Sequence, residues 1–245
     1  MSQETPPWLS IITVCYNDSN NLSRTIQSIR NQQCDFIQSI VIDGGSIDNT
    51  LSIIHENSDV ISDWISEKDR GLYDAMNKGI ALVKGKYILF LNAGDLFHDP
   101  QVVSFAKSNG NDADVIYGDA IIVNQDGSYK SQSHKKTPPR LTWKSFKYGM
   151  VVCHQSMFIK SIIAMKYDIK FKISADIDWA IRTVKNAKTT KYLGITICDF
   201  QTGGLSSQYK RLALMERWTI LSTHFGVVTS LISHGKIIYK FIFKK

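Results

Sequence analysis

Residues 66–95 read SEKDRGLYDAMNKGIALVKGKYILFLNAGD, and this stretch constrains the fold more than any other part of the chain. A polar loop leads into a short amphipathic segment, a Gly turn and the apolar run 87–91. That run is too short and too rich in β-formers for a helix, so it predicts a central strand. Asn92-Ala93-Gly94-Asp95 follows at once. In an open parallel sheet, ligands bind beyond the carboxyl ends of the strands. A carboxylate placed there either caps the next turn or holds a divalent cation together with a phosphate.

The same grammar runs through the first half of the chain. Apolar runs at 9–14, 39–42, 60–65 and 87–91 predict strands. Between them, Leu22, Ile26 and Ile29 recur at i, i+4, i+7, with Asp18, Ser19 or Asn20 as cap, and residues 49–56 and 74–83 give two more helices. A helix at 101–107 and a strand segment at 113–123, broken at Gly118, follow, and 125–140 reads as a hairpin turn and loop. Strand and helix alternating at short spacing predict an α/β fold of parallel βαβ units with right-handed crossovers. There is no G-x-G-x-x-G after the first strand and no G-x-x-x-x-G-K-[ST]. Polar residues stand instead at successive strand ends: Thr13, Tyr16 and Asn17, then Asp43, Asp69 and Asp95. On such a rim one carboxylate can accept from a base or ribose, and another can ligate Mg²⁺ or Mn²⁺, hard ions that bridge diphosphates.

At 245 residues, with 43% hydrophobic and 21% charged residues, the chain has core material for one large domain or two small ones. The N-terminus lacks a cationic, apolar leader pattern, and no run of 18 apolar residues occurs, so neither a signal peptide nor a spanning helix is expected. Cys15, Cys34, Cys153 and Cys198 are scattered without a C-x-x-C, which suits small buried side chains in a reducing compartment. The net charge of +7 is unevenly spread: −9 over residues 1–127, +10 over 128–204 and +6 over 205–245. The acidic part suits metal and nucleotide chemistry. The basic part suits an anionic partner or is a solvated face. No nucleic-acid reading motif accompanies it, so a nucleic-acid partner is not expected.

Four segments, in order, carry a resemblance: LSIITVCYN, SIVIDGGSIDNT, GLYDAMNKGI with GKYILFLNAGD, and SADIDWAIR. Over about residues 9–206 the chain is similar to the family-2 glycosyltransferases, inverting enzymes of the GT-A fold, and most similar to small bacterial members of polysaccharide and O-antigen clusters. The resemblance implies a mostly parallel sheet flanked by helices. It implies nucleotide-sugar binding by Thr13, Tyr16, Asn17, Asp43, Asp69, Asp74, Asn77 and Asn92, with Asp43 at the nucleobase. It implies a divalent metal, Mn²⁺ or Mg²⁺, on Asp95, and a catalytic base at Asp176. His154, Asp119 and Gly204 fall in segments implied to line a donor or acceptor pocket. The pattern departs at Gly44, which stands for a second aspartate, at Asn92 and Gly94 in the metal motif, and at Ala175.

Residue chemistry stands beside the resemblance. Ile177, Ile181 and Val184 start a helix near Asp176. Asp178 and Arg182 form an i, i+4 pair, the pattern of a structural contact. Asp176 lacks such a partner and is either a helix-start acid stabilised by the macrodipole or, as the resemblance favours, the base. His154 is read in a strand, 151–158, as a core or a pocket residue. Leu214, Trp218, Leu221, Phe225, Val228 and Ile232 make one apolar stripe, and residues 236–245 interleave Lys with Ile, Tyr and Phe. That end suits either a helix covering the sheet or an anionic membrane surface. The expected organisation is a GT-A domain at 1–207, with a nucleotide-sugar half (1–127) and an acceptor half (128–207), and a basic amphipathic helical segment at 208–245. The expected activity is inverting transfer from a nucleotide diphosphate sugar to a polyprenyl-diphosphate-linked saccharide. It would take place in the cytoplasm, peripherally on the inner face of the cytoplasmic membrane, in surface polysaccharide synthesis. The rival is a non-catalytic nucleotide-sugar-binding module on the same fold.

Overall fold

The computed structural model describes residues 6–132 and 137–243; the side chains of residues 132, 205, 207 and 236–243 lie outside that description. The strands are β1 (Leu9–Cys15), β2 (Ile37–Asp43), β3 (Ile61–Ser66), β4 (Tyr87–Phe90), β5 (Leu96–Phe97), β6 (Val115–Val123), β7 (Tyr129–Gln132), β8 (Met157–Lys160) and β9 (Thr190–Gln201). The helices are α1 (Ser19–Arg30), α2 (Thr50–Glu56), α3 (Leu72–Ala81), α4 (Val102–Asn109), α5 (Ala175–Asn186), α6 (Leu205–Gln208), α7 (Lys210–Phe225) and α8 (Val227–Phe243). Among the described residues the strands form one sheet, ordered β3-β2-β1-β4-β8-β6-β9-β5, with β7 on β6.

The first four strands are parallel, and Leu9 pairs with Ile37 on one side and Tyr87 on the other. β1 is buried along its whole length, as a parallel strand covered on both faces must be. β4 shows why its run is a strand. Ile88 and Phe90 enter the core that holds Trp179 of α5 and Met76 of α3, while Tyr87 and Leu89 enter the opposite core with Val103 and Ala106 of α4. Alternate residues serve opposite faces, which a helix could not do. β8, from the second half of the chain, lies antiparallel between β4 and β6. The two halves therefore share one sheet, and the strand ends of the first half face residues of the second.

Three local expectations are corrected. β6 runs unbroken through Gly118, and the irregularity lies in its partner. Tyr117 pairs with Tyr192 but Asp119 pairs with Thr196, so β9 carries the extra residues, with Gly194 at φ 71°. Gly118 is needed because a Cβ there would lie 2.5 Å from the Ile195 carbonyl oxygen. Residues 151–158 are not one strand. His154–Ser156 form a 3₁₀ turn, closed by Ser156 N–H donating to Cys153 O at 2.9 Å, and only then does β8 begin. The C-terminal stripe is not one face of one helix. Gly226, at φ 83°, breaks it, a conformation that favours glycine, and α8 folds back on α7: His234 Nε2 meets Leu214 O at 3.3 Å. Among the described residues no helix is long and apolar enough to cross a membrane.

Candidate active site

The polar strand ends fall into three groups. The first joins the ends of β1, β2 and β3. Asp43 is buried and accepts from Ser46 N–H, Ser46 Oγ at 2.5 Å and Ser66 Oγ at 2.6 Å. Asn17, at φ 49°, ties the β1 end to the same loop: its Oδ1 accepts from Ile47 N–H at 2.9 Å, and its N–H donates to Ser46 Oγ at 2.7 Å. Beside this brace stand Tyr16, exposed, and Asp69. A Cβ on Gly44 would lie 2.6 Å from Asp69 Oδ2 and 3.2 Å from the Tyr16 ring. The missing second aspartate thus has a physical account, since the Asp69 carboxylate fills the space that a side chain at 44 needs. Thr13 Oγ1 and Asn92 Oδ1, on neighbouring strand ends, are buried without a hydrogen-bond partner. Buried polar atoms are normally paired, so these two are groups that a ligand can satisfy.

The second group surrounds Asp95, and here the expected metal ligand meets a different geometry. Asp95 is 3% exposed. Its Oδ1 accepts from Gln201 N–H at 3.0 Å and its Oδ2 from Gln155 Nε2 at 3.1 Å. Burial pushes its pKa up to about 7, with the Gln201 and Gln155 bonds opposing. At Gly94, φ 96°, a Cβ would run into the Gln201 amide, so Gln201 occupies the place of the motif's missing acid. Among the described residues no three His, Cys, Asp or Glu side chains are grouped to hold a metal ion. As placed, Asp95 does not fit a metal ligand; it is a buried acceptor that locks the β4 end to β9 and to the Gln155 turn.

The third group surrounds Asp176. Asp176 stands in the first turn of α5, with its carboxylate a quarter exposed. Tyr73 OH, which donates to Ile173 O at 2.8 Å, lies 3.4 Å from Asp176 Oδ1. His154 Nδ1 is 3.9 Å from Asp176 Oδ2. Burial pushes Asp176 up to about 6, opposed by the Ile177 N–H and Tyr73 bonds. Burial pushes His154 down to about 4, so the imidazole is neutral at pH 7 and the contact is not an ion pair. His154 Nε2 is buried and unpaired. His154 and Gln155 are adjacent in sequence and face different groups, so this one turn couples Asp176 to Asp95.

The remaining expected residues are placed as follows. Asp178 is buried and bridges Arg182 Nε at 2.6 Å and His224 Nε2 at 2.8 Å. Burial alone would raise its pKa, but the His224 and Arg182 bonds outweigh it and hold the carboxyl below its ordinary range. Asp74 accepts from Arg70 N–H and Arg70 Nη2, both at 3.0 Å, at the start of α3. Asn77 uses both ends of its amide on Tyr167, giving to its carbonyl at 2.9 Å and taking from its N–H at 2.7 Å. Asp119 accepts from Tyr192 OH at 2.8 Å. Gly204 is exposed in the loop after β9.

Two neighbours of this group come from α7, outside the matching segments. Glu216 is buried and accepts from the backbone N–H groups of Lys172, Ile173 and Ser174 at 2.6, 2.9 and 2.9 Å. It caps the start of α5 and so fixes Asp176. Arg217 donates to Tyr148 O at 2.6 Å beside Gly149; burial lowers its pKa, and the charge of Asp176 opposes that. Glu216→Ala is expected to leave three backbone N–H groups, that of Ser174 buried, without their acceptor, a cost of about 3 kcal/mol. It should also lower kcat by misplacing Asp176. A melting curve unchanged by the substitution would rule out the capping role.

This architecture is that of known sugar-transfer enzymes. It is similar to Staphylococcus aureus TarS (residues 1–349) in complex with UDP-GlcNAc, at TM-score 0.68 and 15% identity over 96% of this chain and 73% of that one. It is also similar to the mannosyltransferase PcManGT from Pyrobaculum calidifontis in complex with GDP-Man and Mn²⁺, at TM-score 0.63 and 13% identity over 94% and 74%. At these identities the likeness establishes the fold, GT-A. Residues 10–164 match the family Glycosyl transferase family 2. An uncharacterised glycosyltransferase of Mycobacterium tuberculosis is 33% identical over 82% of this chain and 78% of its own length. A PGL/p-HBAD biosynthesis glycosyltransferase of Mycobacterium bovis is 28% identical over 90% and 87%. The chain belongs to glycosyl transferase family 2.

Proposed function

We propose that this glycosyltransferase moves a sugar from a nucleotide diphosphate sugar to a hydroxyl of a lipid-linked saccharide, with inversion, in bacterial surface polysaccharide synthesis. The observation that carries the reading is Asp176: a carboxyl raised to about 6, partly open, beside Tyr73 and His154 and held by a dedicated cap. A base with a pKa just below neutral is ionised at pH 7 and still able to take a proton. Complexes of the structural neighbours with UDP-GlcNAc and GDP-Man support the donor class. The nucleotide end is proposed to lie on Tyr16, Asn17, Asp43 and Asp69. The sugar end would lie towards Thr13, Asn92 and His154, whose buried polar atoms lack protein partners.

In this mechanism Asp176 accepts the proton of the acceptor hydroxyl. The acceptor oxygen bonds to the anomeric carbon as the bond to the diphosphate breaks, and the nucleoside diphosphate leaves with that electron pair. A single displacement inverts the anomeric centre. Asp95 does not fit a metal, so no step is routed through one. Arg217 is a partly buried cation whose charge interacts with Asp176, and it favours the ionised, proton-accepting form of that carboxylate. The protein is further proposed to act in the cytoplasm at the inner face of the membrane, supported by the +6 carried by residues 205–245.

The test is a panel of nucleotide sugars offered with short soluble saccharide acceptors, the product's anomeric configuration being read by NMR. Transfer with inversion from at least one donor is expected. A donor that binds and raises the melting temperature, yet is transferred to no hydroxyl, water included, would establish the binding-module alternative instead.

A further inference from the structure

α8 is built the wrong way round for a helix in water. In its first turns Ser230 and Ser233 are buried, while Val227, Val228, Leu231 and Ile232 are exposed. A helix that covers a core does the reverse. The cause is α7: Ser230 Oγ donates to Trp218 O at 3.4 Å, and the His234 ring meets the edge of the Trp218 ring. Over residues 227–234 the polar side of α8 is used inside the hairpin, and the apolar side is left facing out.

A basic cleft lies beside this ridge. The Trp143 ring stacks on Phe225, two residues before Val227, with centroids 5.4 Å apart and planes 12° from parallel. Trp143 lines a cavity of about 720 Å³ together with Arg140, Lys144, Lys185 and Lys188. Lys185 Nζ is 5.4 Å and Lys144 Nζ 5.8 Å from the centre of the Trp143 ring. Among the described residues none of the four cations forms an ion pair, and no carboxylate lines the cavity. Asp114, which accepts the Lys188 and Thr189 N–H groups, is paired with Lys160. The cleft sits by the C-terminal end of α5, a helix length away from Asp176 at the other end, so it is not part of the site described above. Unpaired cations around one wall attract an anion.

We propose that the α8 ridge and the Trp143 cleft together form a docking face for an anionic phospholipid bilayer. Lipid phosphates enter the cleft, and Val227, Val228, Leu231 and Ile232 enter the acyl boundary. The combination selects the occupant. Apolar side chains flanked by cations match a membrane interface, whereas nucleic acid offers nothing for the ridge. A second copy packed ridge to ridge in a two-fold dimer would bring like-charged clefts together. The inference deepens the proposed membrane-side activity by naming the face that makes contact, and it is measured without donor or acceptor, so either can fail alone.

The experiment is flotation of the full chain with phosphatidylglycerol vesicles, with phosphatidylcholine vesicles as comparison. Wild type is expected to float with the anionic vesicles at low salt and not with the neutral ones. Lys144→Gln with Lys185→Gln should weaken binding about 30-fold, from about 1 kcal/mol per lost cation. Val228→Ser with Leu231→Ser should weaken it comparably, and Arg140→Gln with Lys188→Gln gives an independent second test of the cleft. All three pairs should keep wild-type melting curves and wild-type activity on a soluble acceptor. Variants that float like wild type overturn the proposal. So does binding that is lost only when residues 236–245 are deleted, which would assign docking to the tail. Tight binding of inorganic diphosphate without flotation overturns it as well. So does a solution dimer that dissociates in the ridge variant, which would make the ridge a protein interface.

Discussion

Asp176→Asn is expected to lower kcat by on the order of 10²–10⁴, the usual share of general-base catalysis, with donor affinity little changed. The pH profile gives the sharper test. Transfer needs the carboxylate, so the wild-type rate should fall as pH drops through about 6, where burial places the Asp176 pKa. The variant should have a low rate and should lose that limb. Asp178→Asn is the control. Asp178 is two residues away but fully engaged by Arg182 and His224, with its pKa held low. Its replacement should lower the melting temperature and leave the limb near pH 6 in place. If Asp178→Asn removes the limb and Asp176→Asn keeps it, the two roles are reversed.

Much of this arrangement is legible along the chain because its cause is local. The strands announce themselves as short β-rich runs, and the carboxylates at their ends are adjacent in sequence to the runs that place them. Asp178 with Arg182 is legible for the same reason, since i, i+4 on a helix is contact. What escapes notice depends on partners far away in sequence. Glu216 is an unremarkable acid in a helix until α7 brings it to the N–H groups of residues 172–174. Asn77 resembles a donor-binding residue, yet its amide is fully used by Tyr167, ninety positions on. The apolar stripe from Leu214 to Ile232 looks continuous because period alone does not show that Gly226 turns the chain back. Which face of residues 227–234 is inside was then decided by α7, not by hydrophobicity.

Asp95 is the case in which position and role diverge, and its replacement separates them. Asp95→Ala removes the acceptor of the buried Gln201 N–H and of Gln155 Nε2. Leaving a buried donor unpaired costs about 1–3 kcal/mol. Two such donors make a loss of about 2–6 kcal/mol, a fall in melting temperature on the order of 10 °C for a domain of this size. Activity should fall as well, because the Gln155 turn also carries His154 to Asp176. Asp95→Asn keeps one acceptor oxygen and should fall between wild type and Asp95→Ala. The pH dependence has a definite sign. A carboxyl at about 7 in the folded state, against about 4 unfolded, keeps its proton in the native protein across that window while the unfolded chain has lost it. The stability that Asp95 contributes is therefore greatest at the acid end and declines as pH rises from about 4 to 7. Asp95→Asn should flatten that part of the curve. A ligand whose role is to face a metal beside the donor behaves differently: its removal leaves the melting temperature of the free protein unchanged, or raises it, and abolishes transfer. That pattern would return Asp95 to the metal, and a lowered melting temperature with a flattened pH curve assigns it to the lock between β4, β9 and the His154 turn.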